Sequence, residues 1–507
     1  MQAADWFDPL YDAEGMGAID RWAIDEQGVP SLELMEVAGA ALARETATIA
    51  RAGPIRIVCG KGNNGGDGLV TARLLREIGL EAEALLLWPA AELSADATAN
   101  LDRLDADAWS ELGSGDPAAA LAGSGAIIDA IFGTGFAGDP REPSARAIAA
   151  INAADAPVVA CDIPSGVDAA SGEVGASCVD AALTVSFHAA KLGHRIAPGK
   201  WRCGELVVAP IGIPPGAPQP PAAGAINERA LALPPRRGPE STKFASGEVV
   251  VVGGSRGMTG AVCMASTAAI RAGAGYVTAA VPDSLEPIFE VKLTEVMTVG
   301  VDSIGGALDM PAAATVLRRI ERAACVVLGP GLGRSDPAAQ LARHLVPRIS
   351  CPLLIDADGL NALGTALDLV AERRAATVLT PHAGELSRLL GCGPEQVNRR
   401  RLASARQAAA ASGAIVVLKG DDTLIVAGDR VAVSVDGSPA LATAGTGDVL
   451  SGTIAGLIAR GTPPYEGACA AVLAHARAGR RAGELRGVES VIATDVIESL
   501  PSGLAAG

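Results

Sequence analysis

One segment reads Ile55-Arg56-Ile57-Val58-Cys59-Gly60-Lys61-Gly62-Asn63-Asn64-Gly65-Gly66-Asp67-Gly68. Its first five residues form an apolar run that predicts a short buried strand, and the pattern over 69–78 predicts a helix. The glycines between them let the backbone approach a ligand and turn N–H groups toward it. A strand, a glycine loop and a helix in this order are typical of an α/β domain with a mostly parallel sheet.

The same alternation of apolar runs and helical patterns continues on both sides of this segment. In the first half we predict a helical region over 20–46 and further strands at 82–87, 126–132, 158–162 and Leu183–Phe187. In the second half we predict a helix over 260–272, strands at Glu248–Val252, Cys325–Leu328, 353–356, 377–380 and 415–419, and a hairpin formed by 423–426 and 430–435.

Length and proline content divide the chain. Its 507 residues exceed what one hydrophobic core usually fills. Nine prolines occur in the thirty residues from Pro210 to Pro239, and proline is excluded from helix interiors and central strands. We therefore predict a domain over 1–211, a proline-rich linker over 212–240 and a second domain over 241–507.

Composition excludes several classes of protein. The net charge of -16 argues against nucleic acid or an anionic membrane as a partner, and 3% aromatic residues are too few for a platform that stacks single strands. No apolar run approaches the ~18 residues of a membrane span. The acidic beginning, Met1 to Asp8, lacks the basic start of a signal peptide. We expect a cytoplasmic protein.

Cysteine and histidine patterns argue against disulfides and transition metals. The nine cysteines are scattered without a CxxC pair, which predicts small buried side chains. The five histidines show neither HxxxH nor HExxH spacing, which argues against a zinc-type centre.

The glycine loop of the first half has more than one interpretation. Gly60, Gly62 and Gly65 fit a dinucleotide-binding GxGxxG pattern, but the next predicted strand ends at Leu87-Trp88-Pro89 without the acid that would hold a ribose. No G-K-[S/T] ends the loop, so it is not a P-loop. Asparagine carbonyls suit a hard cation, whereas a tight turn with left-handed asparagines is the structural alternative.

Two further strands of the first half end in acids and glycine loops. Ile127-Ile128-Asp129 leads into Gly133-Thr134-Gly135-Phe136-Ala137-Gly138-Asp139, and Ala160-Cys161-Asp162 leads into Pro164-Ser165-Gly166. Single acids in such places can be helix caps. Because the carboxyl ends of parallel strands share one edge, three such loops predict a ligand site there.

The motifs GKGNNGGDG, DAIFGTGFAGD and DIPSGVD, in this order and spacing, resemble the NAD(P)H-hydrate epimerase domain over roughly residues 10–210. The resemblance implies a three-layer Rossmann-like fold and potassium ligands at Asn64, Asp129 and Ser165. It implies contacts with the hydrated dinucleotide at Asn63, Asn64, Gly65, Gly66, Asp67, Gly133, Thr134, Gly135, Phe136, Ala137, Gly138, Asp139 and Asp162. Asp162 is the candidate acid/base that equilibrates the C6 epimers.

In the second half, Ala444-Gly445-Thr446-Gly447-Asp448 precedes an apolar helix. Two glycines at a helix N-terminus direct N–H groups and the helix dipole toward an anion. Asp448 reaches the same place, although a first-turn carboxylate is also favourable without any function. The ends of other predicted strands carry Lys419-Gly420-Asp421-Asp422-Thr423, Asp356-Ala357-Asp358-Gly359-Leu360-Asn361, Thr380-Pro381-His382-Ala383-Gly384-Glu385 and Gly329-Pro330-Gly331-Leu332-Gly333.

These motifs resemble ribokinase-like α/β/α folds and, more narrowly, the ADP/ATP-dependent NAD(P)H-hydrate dehydratase over nearly all of 240–500. The resemblance implies that Asp448 accepts the proton of the substrate hydroxyl. It implies hydrate contacts at Ala261, Gly331, His382 and Asp448. It implies adenine-nucleotide contacts at Lys419, Gly420, Asp421, Asp422, Thr423 and Gly447.

Together the two halves predict a metabolite-repair enzyme. It would epimerise R- and S-NADHX or NADPHX and dehydrate the S-epimer, with conversion of ADP to AMP and phosphate. We expect Mg²⁺ with the ADP (or ATP). We expect a homo-oligomer whose partners are these small molecules, with neither nucleic acid nor membrane among them. The alternatives are a vitamin or sugar kinase with an accessory nucleotide-binding domain, and a non-catalytic scaffold.

Overall fold

The computed structural model of the chain describes residues 5–113 and 115–505. Pro9–Ala223 forms a first unit, and residues 5–8 together with 224–505 form a second. In the described part of the chain, no helix has the length and apolar composition of a bilayer-spanning segment. All nine cysteines are free thiols, of which five are buried and four half-buried.

Strands and helices alternate through the first unit, after an initial strand that lies in the sheet of the second unit. The elements are β1 (Phe7–Leu10), α1 (Ala13–Arg21), α2 (Ser31–Ile49), β2 (Ile55–Cys59), α3 (Asn63–Glu77), β3 (Ala82–Leu86), α4 (Ala95–Leu101), β4 (Trp109–Glu111), α5 (Pro117–Leu121), β5 (Ala126–Ala130), α6 (Ser144–Ala153), β6 (Val158–Cys161), β7 (Leu183–Phe187) and β8 (Glu205–Ala209).

The seven strands β2 to β8 form one sheet in the order β4-β3-β2-β5-β6-β7-β8, and all neighbouring pairs are parallel. After β2, the strands β3 and β4 are added in order on one side of it. The chain then returns to the other side of β2, where β5, β6, β7 and β8 are added in order. The loops after β2 and β5 therefore diverge, which is the place where open α/β sheets bind ligands.

Apolar side chains cover both faces of this sheet. Ile55 and Ile57 of β2 pack with the α2 and α3 side, which includes Leu42 and Leu69. Val58 points to the opposite face, where it packs with residues of α5 and α6 such as Ile148. Alternating residues of one strand thus serve two cores, and the predicted three-layer Rossmann-like fold is confirmed.

A glycine is required where β2 ends. A Cβ on Gly60 would lie 2.0 Å from the carbonyl oxygen of Ile131, in the loop after β5. A Cβ on Gly65, in the first turn of α3, would lie 2.0 Å from the carbonyl oxygen of Gly60. Real Cβ atoms do not approach backbone so closely, so the absence of side chains lets these loops and the start of α3 meet.

The second unit contains the remaining elements. They are β9 (Ala223–Ile226), β10 (Glu248–Val252), α7 (Thr259–Arg271), β11 (Tyr276–Pro282), α8 (Glu286–Lys292), β12 (Met297–Val301), β13 (Ser303–Ile304), β14 (Ala307–Leu308), α9 (Ala312–Arg319), β15 (Cys325–Leu328), α10 (Asp336–Leu345), β16 (Leu353–Ile355), α11 (Asp358–Leu363), α12 (Asp368–Ala371), β17 (Thr377–Leu379), α13 (Ala383–Leu390), α14 (Pro394–Arg399), α15 (Arg401–Ser412), β18 (Ile415–Leu418), β19 (Leu424–Ala427), β20 (Arg430–Val433), α16 (Thr446–Ala459), α17 (Pro464–Arg486) and α18 (Ala493–Gly503).

Eleven strands form the sheet of the second unit, in the order β1-β9-β20-β19-β18-β17-β16-β15-β10-β11-β12. The pairs from β12 to β18 are parallel, and β18-β19-β20 is antiparallel. The predicted hairpin is confirmed, because Ala427 pairs with Arg430 across a two-residue turn. The loops after β10 and β15 diverge, which makes this the switch point of the second sheet.

Both faces of the second sheet are buried, as expected for parallel strands covered by helices. Val249 and Val251 pack with α7 and α16, and Val250 and Val252 are also fully buried. A Cβ on Gly253, just after β10, would lie 2.2 Å from the carbonyl oxygen of Pro330. The second unit therefore repeats the glycine-dependent approach of two loops that occurs in the first.

The segment 212–240, predicted as a linker, is partly folded into the second sheet. Residues 222–233 contain no proline, and within them β9 pairs in parallel with β20. Glu228–Ala232 then forms a 3-10 helix whose Ala230 and Leu231 are buried. The prolines cluster on either side of this stretch, so they limit where the strand can lie without preventing it.

The predicted strands largely agree with the structure. Leu183–Phe187, Glu248–Val252 and Cys325–Leu328 have the predicted bounds, and the others end within two residues of them. The sequence analysis missed β8, β11 and β12, among others. Glu205–Ala209 lies at the edge of the sheet, and only its last residue is buried, although Leu206 to Ala209 is an apolar run.

The close approach at Gly65 generates a stability prediction. We expect Gly65→Ala to destabilise the first unit by about 3 kcal/mol, because the added methyl group must push backbone apart. The control is Gly62→Ala, since nothing lies within 4 Å of a Cβ there. Urea unfolding followed by tryptophan fluorescence reports this unit, which holds Trp22, Trp88, Trp109 and Trp201. Equal midpoints for the two variants would contradict the prediction.

Candidate active sites

A cavity of about 620 Å³ opens at the carboxyl edge of the first sheet. Eight of the predicted contact residues line it: Asn63, Asn64, Asp67, Gly133, Thr134, Gly135, Phe136 and Asp162. Gly65 and Gly66 are buried in α3. Ala137, Gly138 and Asp139 are not part of the cavity lining, and the Asp139 carboxylate accepts a hydrogen bond from the Ala176 N–H at 2.7 Å.

Asp162 lies directly after β6, in the left-handed conformation (φ 64°) that a non-glycine residue rarely adopts. Its Oδ1 lies 2.5 Å from the Lys191 ammonium, and its Oδ2 accepts hydrogen bonds from the N–H and hydroxyl of Thr134. Burial alone would raise the pKa of Asp162, but the Lys191 charge and these hydrogen bonds outweigh it and lower the pKa to about 2. Asp162 is therefore a permanent carboxylate at neutral pH.

Lys191 is a site residue that the sequence analysis missed. Its ammonium donates to the Asp162 carboxylate, to Ser186 Oγ at 2.9 Å and to the Phe187 carbonyl at 3.0 Å, and the side chain is buried. The backbone N–H of Lys191 donates to Nδ1 of His194. Because Nδ1 accepts this bond, Nε2 is the ring nitrogen that carries the hydrogen, and it donates to the Asp162 carbonyl oxygen at 2.9 Å. The available signal was a lysine soon after the predicted strand Leu183–Phe187, at the edge where the acids had been sought.

Two other carboxyl groups face the same cavity. Asp67, in the first turns of α3, has a pKa well above its ordinary value because it is buried and lies near the carboxylates of Asp162 and Asp20. Burial also raises the pKa of Asp20, on α1, although Lys191 opposes the shift. The sequence analysis selected Asp67 but not Asp20. The cavity thus combines one carboxylate of lowered pKa with two carboxyl groups of raised pKa.

Aromatic rings form one wall of the cavity. Phe132 and Phe136 stack with ring centroids 4.3 Å apart, and Trp88 lies 6.2 Å from Phe132. All three line the cavity. They offer an apolar surface suited to a flat ring.

The three residues implied as potassium ligands lie at the ends of β5 and β6 and the start of α3. Asp129 is fully buried, and its oxygens accept hydrogen bonds of 2.7 Å from the N–H and from the hydroxyl of Ser165. Burial raises the pKa of Asp129 to about 6 despite these bonds. The side-chain oxygen of Asn64 lies 2.8 Å from the position of a Cβ on Gly133, and its Nδ2 is buried without a partner.

In the second unit, the glycine loop begins α16 as predicted. Gly445 adopts a left-handed conformation (φ 91°), and Thr446 begins the helix. The Lys419 ammonium lies 3.4 Å from the position of a Cβ on Gly447, so the lysine at the end of β18 reaches the helix N-terminus. Residues 419 and 447 are thereby brought together from separate motifs.

The loop from Lys419 to Thr423 is held in shape by hydrogen bonds between its own residues. Thr423 Oγ1 donates to the Gly420 carbonyl at 2.7 Å and accepts from the Gly420 N–H at 3.2 Å. A buried ion pair holds the loop to α15, since Arg401 lies 2.8 Å from the Asp422 carboxylate and donates to the Lys419 carbonyl. A Cβ on Gly437 would lie 2.4 Å from the Asp421 carbonyl oxygen.

Asp448 lies in the first turn of α16 among other charged groups. Burial raises its pKa to about 7, and the carboxylates of Asp356, Asp358 and Glu385 add to the rise, whereas Lys419 opposes it. A carboxylate with a pKa near neutrality is a stronger proton acceptor than an ordinary aspartate. The arrangement can therefore take a proton from a substrate hydroxyl.

His382 and Glu385 form the N-terminal cap of α13. His382 Nδ1 accepts the N–H of Gly384 at 3.0 Å, and the Glu385 carboxylate accepts the N–H of His382 at 2.9 Å. Lys419 lies 3.6 Å from Glu385, so the cap adjoins the lysine. His382 thus caps α13, and its cap partner Glu385 adjoins Lys419.

Ala261 and Gly331 meet at the switch point of the second sheet. A Cβ on Gly331 would lie 3.3 Å from that of Ala261 and 2.4 Å from the Met258 carbonyl oxygen. The Gly333 N–H donates to the Asp358 carboxylate at 3.0 Å, which ties this loop to α11. Gly331 and Ala261 are therefore neighbours, with Met258 beside them.

Comparison with known proteins assigns both units. Residues 249–502 match the family described as NAD(P)H-hydrate dehydratase, and residues 31–193 match the YjeF-related protein N-terminus. The bifunctional NAD(P)H-hydrate repair enzyme Nnr of Moorella thermoacetica is 39% identical over 510 residues, covering 97% of this chain and 96% of that protein. Its counterpart in Salinibacter ruber is 37% identical over 524 residues, covering 97% of this chain and 95% of that protein.

A solved structure also matches the second unit. The ADP/ATP-dependent NAD(P)H-hydrate dehydratase of Bacillus subtilis, co-crystallised with ATP/Mg²⁺, has 26% sequence identity and a TM-score of 0.47, covering 54% of this chain and 95% of that one. The full-length relatives carry both matched regions in one polypeptide. By this extent of similarity, the chain belongs to the family of bifunctional NAD(P)H-hydrate repair enzymes.

Proposed function

We propose that the first unit interconverts the R and S hydrates of NADH and NADPH, and that the second unit dehydrates the S-epimer with conversion of ADP to AMP and phosphate. The observation that carries the proposal is that each sheet gathers one lysine and several carboxyl groups at its carboxyl edge, with Asp162 and Asp67 near Lys191 and with Asp356 and Asp448 near Lys419. The names of the full-length relatives support both activities.

For the epimerisation, two carboxyl groups with opposite pKa shifts supply complementary roles. At C6 the hydroxyl shares a carbon with the ring nitrogen, whose electron pair can expel the oxygen once it is protonated. The raised pKa of Asp67 favours its protonated form, and we assign it the role of donating that proton as water leaves. Asp162 stays ionised, stabilises the resulting cation, and accepts a proton when water adds to the other face.

A potassium ion fits the residues Asn64, Asp129 and Ser165. Asp129 is a fully buried carboxylate, and no ion pair with a cationic side chain is found for it in the described residues. Carboxylate, hydroxyl and amide oxygens are the donors that a hard cation accepts. When bound, such an ion would neutralise Asp129 and tie the loops after β5 and β6 to the start of α3.

For the dehydration, Asp448 takes the proton of the C6 hydroxyl while that oxygen attacks the β-phosphorus of ADP. The new O–P bond forms as the bond to the α-phosphate oxygen breaks and AMP leaves. The electron pair of the ring nitrogen then expels phosphate from C6, and loss of a proton from the adjacent carbon restores the double bond. We assign to the amides of the Gly445–Gly447 loop the stabilisation of the transferring group.

The charges around Asp448 support a requirement for Mg²⁺ with the nucleotide. Asp356, Glu385 and Asp448 surround one lysine, Lys419, so the site carries a surplus of negative charge. An anionic nucleotide enters such a place with a divalent counter-ion, which one or two carboxylates and the phosphates can hold.

Cellular setting and assembly complete the proposal. Nine free cysteines support a reducing compartment, the cytoplasm. The exposed apolar side chains of Ile288 and Val291 on α8 support association into a homo-oligomer. A vitamin or sugar kinase, the alternative from the sequence, is not favoured, because the full-length relatives are named as repair enzymes. A kinase would leave a stable phosphorylated product instead of the reduced cofactor.

The division of labour predicts two distinct losses. With mixed R and S hydrates, ADP and Mg²⁺, we expect Asp448→Asn to abolish recovery of reduced-nicotinamide absorbance. Asp162→Asn and Asp67→Asn should repair the S portion at the normal rate, while the R portion falls to its slow spontaneous rate, a loss of about 10²-fold or more. Loss of S repair in either first-unit variant would contradict the assignment.

Dehydration should depend on pH through Asp448. Because the base acts when ionised and its pKa is about 7, kcat/KM for the S hydrate should rise with pH and level off above that value. Asp162, with its pKa of about 2, is ionised throughout this range and contributes no such rise. A dehydration rate that stays flat through neutrality would exclude Asp448 as the base.

Potassium should stabilise the first unit. We expect the midpoint of thermal unfolding, followed by tryptophan fluorescence, to rise when K⁺ replaces tetramethylammonium at equal ionic strength, because a ligand bound only by the folded state stabilises it. Asp129→Asn should lose this rise, whereas Asp139→Asn, outside the cavity, should keep it. Equal midpoints in the two salts would contradict the assignment.

A further inference from the structure

Asp356 is a buried carboxylate to which the proposed mechanism has given no separate role. It follows β16, and its side chain is almost inaccessible to solvent, with 1% of the residue exposed. The next residue, Ala357, adopts a left-handed conformation (φ 50°), which is rare for alanine. Strained backbone beside a buried charge marks a position whose geometry is held by its surroundings.

Each oxygen of Asp356 has its own partner from a different motif. Oδ1 lies 3.0 Å from the Lys419 ammonium, at the end of β18. Oδ2 accepts a hydrogen bond of 2.7 Å from Ser451 Oγ, one turn after Asp448 on α16. A single carboxylate therefore connects the lysine loop to the helix that carries the proposed base.

The other acid near Lys419 is less able to hold it. Glu385 lies 3.6 Å from the Lys419 ammonium, against 3.0 Å for Asp356. Its carboxylate is also engaged by the N–H of His382 in the cap of α13. Asp356 is thus the closer partner of the lysine.

The position of the lysine matters because of the glycine loop. The Lys419 ammonium lies 3.4 Å from the position of a Cβ on Gly447, in the loop to which the proposed function assigns the transferring phosphoryl group. Burial would lower the pKa of Lys419, but the charges of Asp356 and Glu385 outweigh it and raise the pKa, so the ammonium remains charged.

We propose that Asp356 is a positioning residue of the dehydratase, which holds the Lys419 ammonium against the Gly445–Gly447 loop so that it stabilises the transferring phosphoryl group. This inference rests on the proposed dehydratase function. Through Ser451 the same carboxylate fixes the start of α16, so the ammonium and Asp448 keep a constant relation. In this role Asp356 acts through Lys419 and Ser451.

Asp356 also acts on Asp448 through charge. The charged groups that face Asp448 are Asp356, Lys419, Asp358 and Glu385. Neutralising Asp356 removes a negative neighbour and leaves Lys419 less compensated, and both changes favour ionised Asp448. The pH dependence of dehydration should therefore move to lower pH.

The test measures dehydration of the S hydrate with ADP and Mg²⁺ by full-length protein. We expect Asp356→Asn to lower kcat about 10²-fold, in the range of losing one preorganised charge contact, and to leave KM for ADP within about threefold. The inflection of kcat/KM should shift to lower pH. In a Lys419→Met background, Asp356→Asn should cost little more, because the two residues act as one unit.

Controls separate this inference from the proposed function. An inactive wild-type protein would refute the dehydratase function itself, whereas an active wild type with an unimpaired Asp356→Asn variant would refute only the positioning role. Multiplying losses in the double variant, or an unshifted pH profile, would also refute it. If Asp356→Asn fails to fold, Ser451→Ala tests the same carboxylate and should lower kcat several-fold at unchanged KM; an unchanged kcat would overturn the inference.

Discussion

The structure depends on backbone meeting backbone at the centre of each sheet. In the first unit the loop after β5 passes so close to Gly60 that a Cβ would lie 2.0 Å from a carbonyl oxygen, and in the second the loop after β15 does the same at Gly253, at 2.2 Å. Only glycine permits this approach. The loops that carry the candidate site residues converge because these two strand ends have no side chain to separate them.

The two sites use the same kinds of charged groups and obtain opposite results. In the first unit one buried lysine, Lys191, donates directly to Asp162, and the pKa of that carboxyl falls to about 2. In the second unit Lys419 is shared with Asp356 and Glu385, so it cannot offset burial at Asp448, whose pKa rises to about 7. Lys191 contacts Asp162 directly, whereas the direct partner of Lys419 is Asp356 and not Asp448. Which acid the lysine contacts thus separates a permanent anion from a base that titrates near neutrality.

The sequence allowed the strands, the glycine loops and most acids of the sites to be predicted, because apolar runs and their carboxyl ends are local signals. Lys191 and Asp20 could not be found in this way, since their roles depend on contacts with a carboxylate far away in sequence. A lysine is also expected at the surface unless a partner is known. The strand β9 was missed because its proline-rich flanks concealed a short proline-free stretch.

Within residues 5–113 and 115–505, three non-glycine residues have left-handed backbone: Asp162, His188 and Ala357. Each such conformation costs about 1–2 kcal/mol, and all three follow strands that lead into the candidate sites. Selection for heat resistance would therefore favour glycine at these places. Replacing Asp162 by glycine would remove the backbone strain and the functional carboxylate together. A protein made more heat-stable by this substitution would therefore be less active.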